Sequence, residues 1–336
     1  MRVARLHGVG DIRITDEPRP SPGPGESLVR VTAVGICGSD LHWYTEAGIG
    51  DATLKRPLVV GHEFAGVIEG GPRSGEPVAV DPAIPCGVCA SCLDGDRNLC
   101  PFMHFSGHSD TDGALREYLT WPTGLLHLLP PSLNAADGAM LEPLGVALHA
   151  WDLGHVRLAD SVAVVGCGPI GLGLVQLARA GGATRIVAVD PLAHRREAAL
   201  RYGADEALDP TEVAGSGLVA GPAAGVDVGF EVAGTDEAVR TTMDLVRPGA
   251  RVVLTGIPDD DRTTFGASTA RRKGLTLVMV RRMKETVYPR GIRLVERGLV
   301  DVRSMVTARY DLADVTRAFT VAQAREGLKI VVGPGE

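Results

Sequence analysis

Gly166-Cys167-Gly168-Pro169-Ile170-Gly171 follows the apolar run Ser161–Val165 and opens a helical pattern, and this junction constrains the fold more than any other segment. In a chain with 43 glycines a G-x-G-x-x-G pattern arises easily by chance, so its place between a strand and a helix gives it meaning. Gly166 permits the tight turn, Gly168 lets backbone approach a pyrophosphate, and Gly171 lets helix and strand pack closely. The amino end of the helix then offers free N–H groups to phosphates. Asp190 closes the next apolar run, Arg185–Asp190, at the spacing where a carboxylate bonds the adenosine ribose hydroxyls. That charge repels a 2′-phosphate, so NAD is expected rather than NADP. The competing reading is a plain strand–turn–helix junction ending in an exposed aspartate. Cys167 reads as a small packing residue inside the loop.

The same rhythm continues on both sides of the junction. Leu144–Leu153 looks helical, as do Ala193–Tyr202 and Asp236–Val246, while Val226–Glu231 and Ala250–Thr255 read as strands. Alternation of this length implies βαβ units and a parallel sheet, hence an α/β domain. The first half differs: short strands such as Ser27–Val34, Phe64–Glu69 and Pro77–Val80 are separated by Gly/Pro clusters, which suggests an antiparallel, barrel-like lobe. Beyond the alternating stretch, Tyr288–Arg297 reads as a helix, followed by apolar runs at Val306–Tyr310 and Leu328–Val332 that are expected to return to the first lobe.

Cys86, Cys89, Cys92 and Cys100 form a C-x2-C-x2-C-x7-C run, and four thiolates so spaced can close tetrahedrally on one Zn²⁺. Two disulfides would need an oxidising compartment, and the polar stretch after Met1 lacks the apolar core of a signal peptide; the expectation is a cytoplasmic protein. A net charge of −7 without a basic stripe argues against nucleic acid as a partner. No run approaches the ~18 apolar residues that a membrane span needs.

One further cysteine remains, Cys37 in Gly35-Ile36-Cys37-Gly38-Ser39-Asp40-Leu41-His42, with Gly61-His62-Glu63 beyond it. Cysteine, histidine and carboxylate leave one position on zinc open, as catalytic sites do. Alone, each residue is unremarkable; a single cysteine is usually core and a single histidine a satisfied polar group. Together with Glu142-Pro143-Leu144, the GCGPIG loop and Leu328-Lys329, these segments resemble the zinc-dependent medium-chain dehydrogenase/reductase family along essentially the whole chain.

The resemblance implies a GroES-like β-barrel catalytic domain at 1–145 and 280–336 carrying a structural zinc lobe, with a doubly wound Rossmann domain at 146–279. It implies two zinc ions per chain: a structural one on the four cysteines, and a catalytic one on Cys37 and His62 with Glu63 or Glu142 as third ligand or as partner of a bound water. Ser39 and His42 match a proton relay, and Asp40 matches a partner that orients the zinc-binding histidine. Gly166, Gly168, Pro169, Ile170, Gly171, Asp190, Arg195, Thr255, Gly256, Ile257, Val280 and Arg282 match coenzyme contacts. Arg282 is also similar to a substrate-side arginine of sorbitol dehydrogenases, and Tyr288-Pro289 resembles the pair that follows it. Glutamate rather than cysteine at 142 resembles the sorbitol and polyol branch, so the expected activity is NAD-dependent oxidation of a polyol, sugar or cyclitol. Aminocyclitol or simple alcohol dehydrogenases are the alternatives within the family. A non-catalytic NAD-binding relative is disfavoured by the intact ligand set, and the zinc-free quinone reductases by having no need of it. The expected assembly is a homo-oligomer, a dimer or tetramer. Two departures stand out: a shortened segment between Phe64 and Pro77, expected to be a trimmed surface turn, and Arg281–Glu285 (RRMKE), which differs from the polyol pattern.

Overall fold

Ser161–Val165 and Arg185–Val189 lack polar alternation because both of their faces are covered, and with Val226–Glu231 they form the middle of a six-stranded parallel sheet. Its order is Glu206–Leu208, Arg185–Val189, Ser161–Val165, Val226–Glu231, Val246–Leu254, Thr276–Met279. Strand order reverses beside Ser161–Val165, the topological switch point of a doubly wound sheet, where ligands bind beyond the carboxyl ends of the strands. The computed structural model describes residues 1–219, 224–258 and 261–334. This sheet belongs to one of two units, Leu144–Met283 with Gly298–Asp301. Its core is built from small β-branched residues, with Val187, Val189, Val226 and Val252 all buried.

The other unit comprises Met1–Pro143, Lys284–Arg297 and Val302–Glu336. Its main sheet runs Leu126–Leu128, Pro77–Val80, Glu63–Glu69, Glu26–Gly35, Lys329–Gly333, Val306–Asp311, with Tyr118–Pro122 also pairing to Glu26–Gly35. Lys329–Gly333 therefore lies directly beside the strand that leads into Cys37. Trp43, Leu58, Phe64, Leu115, Leu119 and Phe319 fill the interior. The shortened segment after Phe64 is a tight turn, in which Gly75 N–H donates to the Ile68 carbonyl at 2.8 Å and Ile68 N–H to that of Glu76 at 3.0 Å. The cysteine lobe contributes little core: Val88, Leu93 and Phe102 are exposed.

One boundary differs from expectation in a way that matters. The helix expected from Leu144 begins at Leu141, so Glu142 and Pro143 sit inside its first turn. Proline there has no intrahelical N–H to lose, so it does not mark the start.

The helix Val287–Glu296 is pinned to the sheet through Tyr288, whose hydroxyl donates to the Val80 carbonyl at 2.8 Å and whose ring stacks on His127 at 4.5 Å and 2°. Burial lowers the His127 imidazole to about 4 from an ordinary 6.5, with Glu285 opposing. Between those values the unfolded chain binds the proton and the folded chain does not, so stability is complete above pH 6.5 and falls as pH drops towards about 4. The effect is worth about 2 kcal/mol after allowance for partial exposure. His127→Phe keeps the stack and loses the titration, so its thermal midpoint is expected to vary less than wild type between pH 6.5 and 4.

Candidate functional site

Cys37 is the N-cap of the helix Gly38–Glu46, in extended backbone at φ −94°. The third helical residue, Asp40, reaches back to accept the Cys37 N–H at 2.9 Å and accepts that of Gly61 at 3.1 Å. Its Oδ1 also lies 3.4 Å from His62 Nδ1. One buried carboxylate thus gathers the segment bearing Cys37 and the segment bearing His62, and it assigns the Nδ1 proton so that Nε2 is the free donor atom. Gly61 has φ +101°, and a Cβ there would stand 2.8 Å from Val34 Cγ1, so only glycine makes this turn. The Gly61 carbonyl accepts from Ser106 Oγ and Ala114 N–H, both at 2.9 Å. Phe105, next to Ser106, lies with its ring 5.2 Å from that of His62.

Donor atoms of Cys37, His62 and Glu63 lie within 4.8 Å of one another. Burial disfavours the imidazolium of His62, yet Asp40 and then Cys37 hold its pKa well above the ordinary value. Both Glu63 oxygens face the buried Lys329 ammonium, at 2.8 and 2.5 Å. Glu142 stands outside the close set; it is buried, and desolvation first and then Glu63 push it up to about 7 against His62 and Lys329. Thiol, imidazole and carboxylate donors in one set fit a divalent ion with soft and borderline ligands. Ser39 Oγ is 3.5 Å from His62 Nε2, and His42, farther along the helix, has Nδ1 3.3 Å from Glu46 Oε1.

Cys86, Cys89, Cys92 and Cys100 are all free thiols with their sulfurs within 4.8 Å of one another. Cys89 Sγ is 3.5 Å from that of Cys92 and 3.9 Å from that of Cys100. Backbone N–H groups of Val88 and then Cys89 lower Cys86 to about 6, while burial raises Cys92 to about 12. A quartet converging at these distances without a bond fits a tetrahedral zinc site rather than disulfides.

In the parallel-sheet unit, Gly168 caps the helix Pro169–Ala180, with Pro169 in its first turn. Gly166 has φ +101°, and a Cβ on Gly171 would lie 1.9 Å from the Gly166 carbonyl oxygen. A Cβ on Gly168 would meet only Arg195 Nη1, at 4.0 Å, so the backbone there is open to a close ligand and a guanidinium stands beside it. Ile170 is half-buried in the helix's first turn. Asp190 is not the exposed residue of the plain-junction reading: it is buried and its oxygens accept from Cys167 N–H at 2.8 Å and Leu192 N–H at 2.9 Å. Each oxygen keeps a further lone pair for a ribose hydroxyl. Among the described residues Thr255 Oγ1 is buried without a hydrogen-bond partner, beside Gly256 and the half-exposed Ile257. This orphan hydroxyl and the open Gly168 backbone fit a dinucleotide. Val280 N–H donates to the Leu254 carbonyl at 2.9 Å, and Arg282 adopts a left-handed φ of +53°.

Sequence reasoning did not assign Lys329 its role as the partner of Glu63, nor Ser106 its bond to the Gly61 carbonyl beside His62. The lysine had a signal, a single cation inside the apolar run Leu328–Val332. Ser106 had none.

Comparison with known proteins places these features. The sequence profile of the alcohol dehydrogenase GroES-like domain matches residues 23–131, and that of the zinc-binding dehydrogenases matches 169–297. Sorbitol dehydrogenase of Bacillus subtilis is 33% identical over 99% of this chain and 97% of its own length. L-idonate 5-dehydrogenase of Vitis vinifera is 34% identical over 98% and 93%. A zinc-binding dehydrogenase structure from Sinorhizobium meliloti, bound to NADP, superposes with a TM-score of 0.89 at 32% identity over 99% of both chains. A GroES-like domain, a doubly wound coenzyme fold and full-length kinship together establish that the chain belongs to the zinc-dependent medium-chain dehydrogenases, enzymes that oxidise alcohols with a nicotinamide coenzyme.

Proposed function

We propose that this chain is an NAD-dependent dehydrogenase acting on a secondary alcohol of a polyol, sugar or cyclitol. The observation that carries the reading is the converged Cys37, His62 and Glu63 set, with a second buried carboxylate, Glu142, where the alcohol dehydrogenase branch has cysteine. Kinship to sorbitol and idonate dehydrogenases supports the same substrate class. The unit bearing Cys37 supplies the reacting centre and the parallel-sheet unit supplies the coenzyme loop.

Cys37 and His62, with Glu63 or Glu142, would hold one zinc, and the four-cysteine lobe a second. Zinc at the first site supplies Lewis acidity, and NAD supplies the hydride acceptor. Asp40 keeps the His62 imidazole in one tautomer and one orientation. Ser39 Oγ, beside His62, receives the proton released from the substrate hydroxyl, and His42 passes it towards solvent. Lys329 pairs with Glu63 and compensates its buried charge. Gly168 N–H and Arg195 hold the pyrophosphate, Asp190 the adenosine ribose, and Thr255, Gly256, Ile257, Val280 and Arg282 the nicotinamide end. Asp190 favours NAD, in contrast to the NADP bound by the Sinorhizobium relative. The resemblance also carries a homo-oligomer, dimer or tetramer, which light scattering would tell apart.

A panel of polyols, cyclitols and amino alcohols offered with NAD and NADP, read by absorbance of the reduced coenzyme, tests the reading; turnover confined to simple alcohols would favour the alcohol dehydrogenase alternative. Asp190→Ser is expected to relax the preference towards NADP, and a wild type with higher kcat/KM for NADP would show the ribose contact to be misread. Metal analysis is expected to give two zinc equivalents. Asp40→Ala should weaken zinc at the Cys37 site by roughly ten- to a hundredfold while the lobe keeps its ion. Cys89→Ala should instead lower the thermal midpoint, because a structural zinc contributes folding free energy. Glu142→Gln should retain zinc and lose most of kcat; activity near wild type would remove Glu142 from the site.

A further inference from the structure

Glu231 ends the central strand Val226–Glu231 with its side chain buried, 1% exposed, and none of the roles above uses it. Its Oε1 accepts the N–H groups of Ala233 and Gly234, at 2.7 and 2.6 Å. Its own carbonyl accepts those of Thr255 and Gly256, at 2.8 and 3.3 Å. The same residue therefore holds the turn that follows its own strand and the turn that follows the neighbouring strand Val246–Leu254. Burial raises the carboxyl pKa, and the N–H groups of Gly234, Ala233 and Gly256 counter it, as expected of an ion that lives on backbone donors.

Three glycines show how tightly these turns are fitted. A Cβ on Gly234 would lie 2.3 Å from the Ile257 carbonyl oxygen, and one on Gly256 would lie 2.1 Å from Gly234 N. A Cβ on Gly166, in the G-x-G-x-x-G loop, would lie 2.9 Å from Ala233 N. The phosphate loop, the 232–234 turn and the 255–257 turn thus touch backbone to backbone, and the carboxylate that fixes the middle one is Glu231. Thr255, whose buried hydroxyl has no partner among the described residues, belongs to this cluster.

We infer that Glu231 is a positioning residue for coenzyme: it locks three turns at the carboxyl edge of the sheet into one preformed platform without touching the ligand. The inference rests on the coenzyme reading of the 166–171 loop. A platform fixed before binding spares the ligand the cost of ordering it.

The test compares Glu231→Gln, Glu231→Asp and Glu231→Ala with wild type, by NADH fluorescence titration, by coenzyme KM and kcat, and by hydrogen–deuterium exchange of the free protein. Glutamine keeps the reach and an acceptor oxygen, whereas aspartate keeps the charge and loses the reach. Losing two charge-assisted hydrogen bonds is expected to weaken NADH roughly tenfold or more in Glu231→Asp and Glu231→Ala, and less in Glu231→Gln. The coenzyme KM should rise more than kcat falls, and amides 233, 234 and 256 should lose protection ahead of the strands. NADH affinity in Glu231→Asp equal to wild type, or protection lost evenly across the sheet, would overturn the inference. Failure of wild type to bind either NADH or NADPH would instead sink the coenzyme reading, and exchange at amides 233, 234 and 256 would still decide whether Glu231 holds these turns.

Discussion

The ion pair of Lys329 with Glu63 ties together the segments that bear Cys37 and His62. Lys329 Nζ donates to both carboxylate oxygens and, at 2.9 Å, to the carbonyl of Ile36. Both side chains are out of solvent, so removing either partner would strand a charge at a cost of about 3–5 kcal/mol. The pair passes over Gly35, where a Cβ would sit 2.1 Å from Glu63 Oε2. Gly35 pairs with Glu63 on one side and with Val331 on the other. A strand near the end of the chain is thereby locked to the histidine segment across the residue that leads into Cys37.

The centre is a problem in buried charge solved by convergent hydrogen bonds. Asp40 is tolerable inside the protein because it receives two backbone N–H groups and faces an imidazole. Glu142 has no comparable set of donors among the described residues, and burial moves its pKa up. The two buried carboxylates are thus held differently, and environment rather than residue type sets the difference.

Much of this was legible in the sequence, because the features that carry it are local. The 166–171 loop, Asp190 and the four cysteines each declare themselves by spacing within one turn or one βαβ unit, and the strand Val226–Glu231 has the bounds its apolar pattern predicts. What spacing cannot express is contact between distant segments. The bond from Ser106 to Gly61 spans 45 residues, and the ion pair from Lys329 to Glu63 spans 266. The start of the helix at Leu141 was missed for a different reason, since Pro143 reads as a boundary in sequence but is tolerated in a first turn. Asp190 was placed correctly at the strand end, yet its two backbone partners are invisible without the fold.

The cysteine lobe has one consequence for the life of the protein. Its large apolar side chains point outward, so it lacks the hydrophobic interior that holds other segments of this size together. With zinc held by the four thiolates, as proposed above, its cohesion would follow mass action with free zinc: a ligand bound only by the folded form stabilises in proportion to the logarithm of its concentration. The same polypeptide would be firm in a zinc-replete cell and loose in a starved one, with Val88, Leu93 and Phe102 already at the surface of the loosened region.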